Sequence, residues 1–148
     1  MPRIRHIAIT TPDVEKTARF YVDVFGMKEI GKRESSQVRG CYLTDGEIQL
    51  AILCFKNDTV AGVERGKGFS GLHHIGFQVD DLDAIADKLA AVGAPRRDDV
   101  NEALGVGHGR RPGGNVEVKY SGPDGVMLDV SETGWAGTSG FTPERTAG

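Results

Sequence analysis

The sequence predicts an α+β chain made of two βαβββ modules, related by pseudo-twofold symmetry and forming a curved mixed sheet around a shared cleft. Three observations carry this. First, the chain repeats itself: His6-Ile-Ala-Ile-Thr-Thr-Pro-Asp-Val-Glu-Lys-Thr-Ala returns without a gap as His74-Ile-Gly-Phe-Gln-Val-Asp-Asp-Leu-Asp-Ala-Ile-Ala, placing Ile7 on Ile75, Asp13 on Asp81 and Ala18 on Ala86. Second, each copy passes from a short alternating stretch through a polar break into a helical period. Third, the period then falls to two, with hairpin breaks at Thr44-Asp45-Gly46 and at Gly122-Pro123-Asp124-Gly125.

The elements follow in order. The first strand opens at His6. Thr11 and Pro12 supply an N-cap and a first-turn proline for a helix whose apolar stripe is Val14, Ala18, Tyr21, Val22 and Phe25, and Gly26 supplies its stop. Strands are expected over 27–30, 38–43 and 47–53. The second copy opens at His74; Leu82, Ile85, Ala86 and Leu89 make its helical stripe, with Asp80 as the cap and Gly93 as the stop. Its strands are expected over 116–120 and 126–130, with a weaker one between Gly93 and Val116, inside a long loop spanning 95–115. The chain thus divides into a module over 1–56, a polar linker over 57–71, a module over 72–132 and a Gly-, Ser- and Thr-rich tail over 133–148 that is expected to fray. Each module has one apolar sheet face and buries it against the other, giving one structural domain.

Composition narrows the function. With 39% hydrophobic and 26% charged residues the chain has the make-up of an ordinary soluble globular protein. A net charge of −3 and a pI near 5.8 give no basic footprint, so no nucleic-acid partner is expected. No apolar run approaches the ~20 residues of a membrane helix, and the N-terminus has no signal-like apolar core, so the cytoplasm is the expected location. Cys41 and Cys54 form no CxxC pair and are expected to be buried, reduced thiols. Gly, at 21 residues, points to tight turns and a glycine-rich loop.

The repeat also locates the chemistry. A histidine opens the first strand of both copies, and the last strand of each carries a polar residue between branched apolar ones, Ile48-Gln49-Leu50 and Leu128-Asp129-Val130. Alternation turns Gln49 and Asp129 away from their apolar neighbours. Closing the two sheets about the axis brings His6, Gln49, His74 and Asp129 together, a donor set suited to one Zn, Ni, Co, Mn or Fe ion. A single such residue on a strand is more often a satisfied or solvated polar group; the four repeat-related positions taken together favour the metal. His108, Arg110 and Arg111 lie in a glycine-rich loop and read either as contacts to an anionic substrate or as a solvated segment. That loop has neither Walker nor dinucleotide spacing.

The stretches His6-Ile-Ala-Ile, Phe20-Tyr-Val-Asp-Val-Phe-Gly-Met, Leu72-His-His-Ile-Gly-Phe-Gln-Val-Asp-Asp and Gly122-Pro-Asp-Gly-Val-Met-Leu-Asp resemble the vicinal oxygen chelate superfamily. It includes glyoxalase I, methylmalonyl-CoA epimerase, extradiol dioxygenases and the fosfomycin and bleomycin resistance proteins. The resemblance implies metal ligands at His6, Gln49, His74 and Asp129; the last position is usually Glu in the family, one methylene longer than here. It implies a lyase or an isomerase/epimerase of the glyoxalase type, in which the metal stabilises an enolate-like intermediate of a small oxygen-rich substrate. Asp129, or alternatively Glu47, is then the general base. Two other readings stay open. An Fe(II) extradiol-type dioxygenase would use His6, His74 and Asp129 as a facial triad. A bleomycin-resistance-like member would sequester a drug without any metal. Open sheet edges also lead to the expectation of a homodimer.

Overall fold

The computed structural model describes residues 1–106 and 117–143. The first half runs β1 (Arg3–Thr10), α1 (Val14–Phe25), β2 (Lys28–Glu34), β3 (Val38–Thr44) and β4 (Gln49–Phe55). After α2 (Asp58–Ala61), the second half runs β5 (Gly71–Gln78), α3 (Leu82–Ala91), α4 (Asp98–Ala103), β6 (Val118–Ser121) and β7 (Met127–Ser131). The strands form one curved open sheet in the order β2-β3-β4-β1-β5-β7-β6. β1 runs parallel to β4, β5 runs parallel to β7, and the halves meet edge to edge where β1 and β5 pair antiparallel. The repeat in the sequence is therefore a repeat in the sheet.

Helix α1 starts where Asp13, rather than Thr11, accepts the Lys16 N–H at 3.0 Å; the Thr11 hydroxyl instead accepts the Asp13 N–H. Gly26 ends it at φ 70°, with its N–H turned back to Tyr21 and Val22. Val14, Ala18, Tyr21 and Val22 pack on Cys41, Leu43, Leu50 and Ile52, so α1 covers one face of the sheet. Ala8, Val38, Ala51, Leu53 and Phe55 face the other way and meet Val60 and Ala61 of α2. In the second half, Leu82, Ile85 and Leu89 of α3 pack on Val79, Tyr120 and Val130. Its cap is Asp81, not Asp80, through the Ala84 N–H at 3.1 Å. Cys41 is buried and Cys54 is partly exposed.

Three further expectations need correction. The linker holds a short helix, α2, capped by Asn57. Among the described residues no strand forms between α3 and β6; α4 takes that place, because Arg96-Arg97-Asp98-Asp99 offers no apolar alternation to pair. There the Asn101 side chain brackets the backbone of Lys119, accepting its N–H at 2.9 Å and donating to its carbonyl at 3.1 Å. The tail does not fray over residues 133–143. Trp135, Thr133 and Thr138 are buried, Thr142 N–H bonds Thr133 O at 2.8 Å, and Ser139 N–H bonds Gly46 O at 3.1 Å. One large indole provides enough apolar area to hold the segment down. Among the described residues no helix is long and apolar enough to cross a membrane.

Candidate metal centre

The seam between β1 and β5 carries two register shifts, each with one extra residue: Arg5 on β1 and His73 on β5. Such a bulge re-aims the side chains around it. Each bulged residue directly precedes a histidine that turns to the face opposite α1. Across the seam His6 lies opposite Gly76 and His74 opposite Ala8, small residues that leave space for both rings. A Cβ at Gly76 would stand 2.7 Å from the His6 Cβ and from the Trp135 ring. The imidazoles accordingly converge, with His6 Nε2 3.1 Å from His74 Nε2, and Asp129 Oδ2 lies 3.2 Å from the same His74 nitrogen. The ligand-type atoms of His6, His74 and Asp129 all fall within 4.8 Å of one another, and all three residues are buried.

Hydrogen bonding places the protons. Burial, reinforced by the neighbouring His74, drives His6 down to about 3 and His73 down to about 4, and burial lowers His74 as well, so all three imidazoles are neutral near pH 7. A neutral imidazole has one N–H. His73 Nε2 donates its proton to the Ala61 carbonyl at 2.6 Å, which leaves His73 Nδ1 bare to accept from His74 Nδ1 at 2.7 Å. His74 Nε2 is therefore a lone pair. On the other side Gln49 Nε2 donates to the Ala136 carbonyl at 3.2 Å, which turns Gln49 Oε1 toward the N–H of His6 Nδ1 at 3.0 Å. His6 Nε2 is bare too.

Asp129 completes the set. Its Oδ1 accepts from Lys119 Nζ at 2.6 Å, and its buried Oδ2 has no hydrogen-bond partner. Burial alone would push this carboxyl up; His74 and the Lys119 ammonium reverse that and hold it well below the usual carboxylate range. Two imidazole lone pairs and a carboxylate oxygen thus face each other with no proton between them. A cation placed among them would meet all three. Two nitrogens and one oxygen fit a first-row divalent ion such as zinc or iron.

Of the residues singled out in the sequence, His6, His74 and Asp129 come together. Gln49 lies beside them but on the far nitrogen of His6, where it orients the ring. Glu47 stands outside the cluster, exposed, with its carboxyl held below the usual range by the Ser139 hydroxyl and by Arg5 at 2.6 Å. His108, Arg110 and Arg111 lie outside the described residues.

Four further residues build the site. His73 fixes the tautomer of His74. Lys119, on β6 directly across from Asp129, is buried and ion-paired to it. Trp135 stacks on His6 with ring centroids 4.9 Å apart and an 8° tilt, and its indole N–H donates to Glu117 at 2.6 Å. Burial and the Asp129 charge push Glu117 up to about 7, against the opposing pull of Lys119 and Trp135. The Lys119–Asp129 pairing was readable from the Gly122–Gly125 turn, whose hairpin register sets 119 against 129. Beside the histidines opens a cavity of about 70 Å³, lined by Glu117, Lys119, Arg33 and Tyr42 and walled by Val38, Leu53 and Phe55. A wider groove of about 580 Å³ lies against α1, away from the histidines.

Residues 3–130 match the Glyoxalase/Bleomycin resistance protein/Dioxygenase superfamily. An ethylmalonyl-CoA/methylmalonyl-CoA epimerase of Cereibacter sphaeroides is 30% identical over 62% of this chain and 72% of its own length. A probable lactoylglutathione lyase of Vibrio cholerae is 29% identical over 86% of this chain and 88% of its own. A substituted Streptomyces coelicolor methylmalonyl-CoA epimerase, solved with 2-nitronate-propionyl-CoA, shares the fold at a TM-score of 0.66 and 24% identity, covering 96% of this chain and 97% of that one. A match that runs through both modules makes this chain a member of the glyoxalase/bleomycin resistance/dioxygenase superfamily.

Proposed function

We propose that the protein is a divalent-metal-dependent lyase or isomerase/epimerase that moves a proton at a carbon next to a carbonyl in a small oxygen-rich substrate. One observation carries this: His6 Nε2, His74 Nε2 and Asp129 Oδ2 converge as bare donors. The epimerase and lyase among the relatives support the reaction class. A bound Zn, Ni, Co, Mn or Fe ion would supply Lewis acidity toward a developing oxyanion.

The chain's own residues do the rest. His73 and Gln49 hold the two imidazoles in the tautomers that present lone pairs. Lys119 occupies one oxygen of Asp129 and leaves the other for the metal. Asp129 is thereby committed, and Glu47 is remote, so we assign the proton-accepting role to Glu117. It lines the cavity, Trp135 fixes one of its oxygens, and burial raises its carboxyl in the direction that suits proton transfer at neutral pH. Val38, Leu53 and Phe55 keep that side of the cavity apolar.

Elemental analysis of protein purified without chelator tests the reading. About one equivalent of transition metal per chain is expected, lost in His74→Ala. The loaded enzyme should exchange a carbon-bound proton of its substrate with solvent deuterium, about 10²- to 10⁴-fold more slowly in Glu117→Gln. A wild type that takes up no metal after reconstitution, with a melting temperature indifferent to chelator, would point instead to a metal-free sequestering protein.

A second reading has its own support. Because Gln49 is engaged with His6, three donors remain, and two histidines with one carboxylate are the facial triad of non-haem iron oxygenases. Oxygen uptake with catechols by the Fe(II)-loaded protein would select it. A homodimer belongs to either reading, with exposed Phe20, Val24 and Phe25 of α1 as its apolar contact. Elution as a monomer at high concentration would remove it.

A further inference from the structure

We infer that the cavity beside the histidines is a carboxylate subsite, and that the site takes a small substrate that presents a carboxylate to Lys119 and Arg33. This deepens the proposed function and rests on it for the metal. The first support is Lys119, only 3% exposed and on the cavity wall. An ammonium has three N–H donors, and Asp129 takes one. The backbone of Lys119 is fixed from three directions, by both ends of the Asn101 amide and by the Arg97 N–H at 2.8 Å, so its head is built into place.

The second support is charge. Without a metal, Asp129 balances Lys119. Once Oδ2 of Asp129 shares its charge with a divalent cation, the ammonium loses part of its compensation and its remaining donors seek an anion. Arg33 adds a second cation at the same cavity, from the edge strand β2, beside Tyr42. Lys119, Arg33 and the metal together outweigh Asp129 and Glu117, even with Glu117 ionised. A guanidinium fork and an ammonium are the usual pair of contacts for a carboxylate.

The third support is size. A water needs roughly 10–15 Å³ measured in the same way. The cavity of about 70 Å³ therefore holds a group of roughly five or six non-hydrogen atoms, with any larger part of a substrate outside it.

Trp135 is the single tryptophan of the chain and stacks on His6, so its emission reports on the site. The test titrates metal-loaded and metal-free wild type with pyruvate and with its neutral isostere pyruvamide. Pyruvate should bind at least about tenfold more tightly to the loaded protein. Arg33→Met, a change at an exposed edge position, should remove most of that preference by weakening pyruvate and not pyruvamide, and Arg33→Lys should restore part of it. Lys119→Met strips buried Asp129 of its partner and endangers folding, so Arg33 carries the test. Equal binding of the two compounds, binding of neither, or a preference untouched by Arg33→Met overturns the subsite. Failure of the metal to bind is read separately, in the metal titration itself, and overturns the proposed function together with the subsite that rests on it.

Discussion

His6 and His74 open equivalent strands, and each follows a bulged residue, yet the two rings are held in different ways. Arg5, before His6, reaches away to Glu47, and the Nδ1 of His6 is served from the neighbouring strand by Gln49. His73, before His74, turns inward and serves the Nδ1 of His74 from the same strand. The last-strand partners differ too. Gln49 lies directly opposite His6, whereas His74 lies opposite Met127 and Asp129 falls two residues further on, opposite Gly76. A two-residue step keeps the side chain on the same face of the sheet but moves it by roughly 6–7 Å along the strand. So Gln49 meets the outer nitrogen of one ring, and Asp129 meets the inner nitrogen of the other. Repeat symmetry assigns positions; register and the occupant of the bulge assign roles.

The contrast breaks most sharply at Asp129. Asp129→Ala should abolish metal binding and, by leaving the Lys119 ammonium buried and unpaired, cost about 3–5 kcal/mol in chemical denaturation. Gln49→Ala should lower metal affinity by only about 10–100-fold, because it frees a ring to rotate without removing a donor. Equal losses in the two variants would mean that Gln49 is a ligand after all. Next comes Gly76→Ala, which drives a methyl into His6 and Trp135; we expect about 1–3 kcal/mol of destabilisation and a change in Trp135 emission.

His73→Leu should match Gln49→Ala in metal affinity, each removing the group that fixes one tautomer, as read by competition with a chromophoric chelator. A smaller and more gradual effect is expected with pH. His6 and His73 titrate near 3 and 4 when folded and near 6.5 when unfolded, so the unfolded chain takes up protons first as pH falls. Stability of the metal-free protein should be complete above about 6.5 and decline below it, with a slope of two protons per chain from His6 and His73 and a further contribution from His74, which burial also lowers. A urea midpoint that stays flat from pH 7 to 4.5 would contradict the burial of these rings as neutral groups. Glu47→Ala should leave metal affinity unchanged, since its partners Arg5 and Ser139 lie outside the cluster.

Much of this was legible in the sequence. The repeat placed both histidines, the stripes placed α1 and α3, and alternation turned Asp129 away from its apolar neighbours. The bulges at Arg5 and His73 left no mark, because an extra residue in a short alternating strand looks like noise in the period. His73 therefore read as an ordinary neighbour of His74, although the bulge is what turns it inward. Trp135 was hidden by its surroundings. A segment of Gly, Ser and Thr suggests disorder on composition, and one indole fitting the space over Gly76 outweighs that. Glu117 and Lys119 fall in the strand expected over 116–120, where they alternate with Val116, Val118 and Tyr120 and so read as an ordinary polar face.

The first strand of the sheet in chain order is its middle strand. As a chain leaves the ribosome, β1 has no partner until β4 follows some forty residues later, and its other edge waits for β5. The third donor-type residue, Asp129, arrives last, from a strand that among the described residues pairs with β5 and β6 alone. The earliest strand and the latest must both be in register before the metal finds all its donors, and such distant pairings are slow to form. On the proposed function, metal uptake during synthesis would report completion of the whole sheet, and a chain stalled before residue 127 carries both histidines with no carboxylate between them.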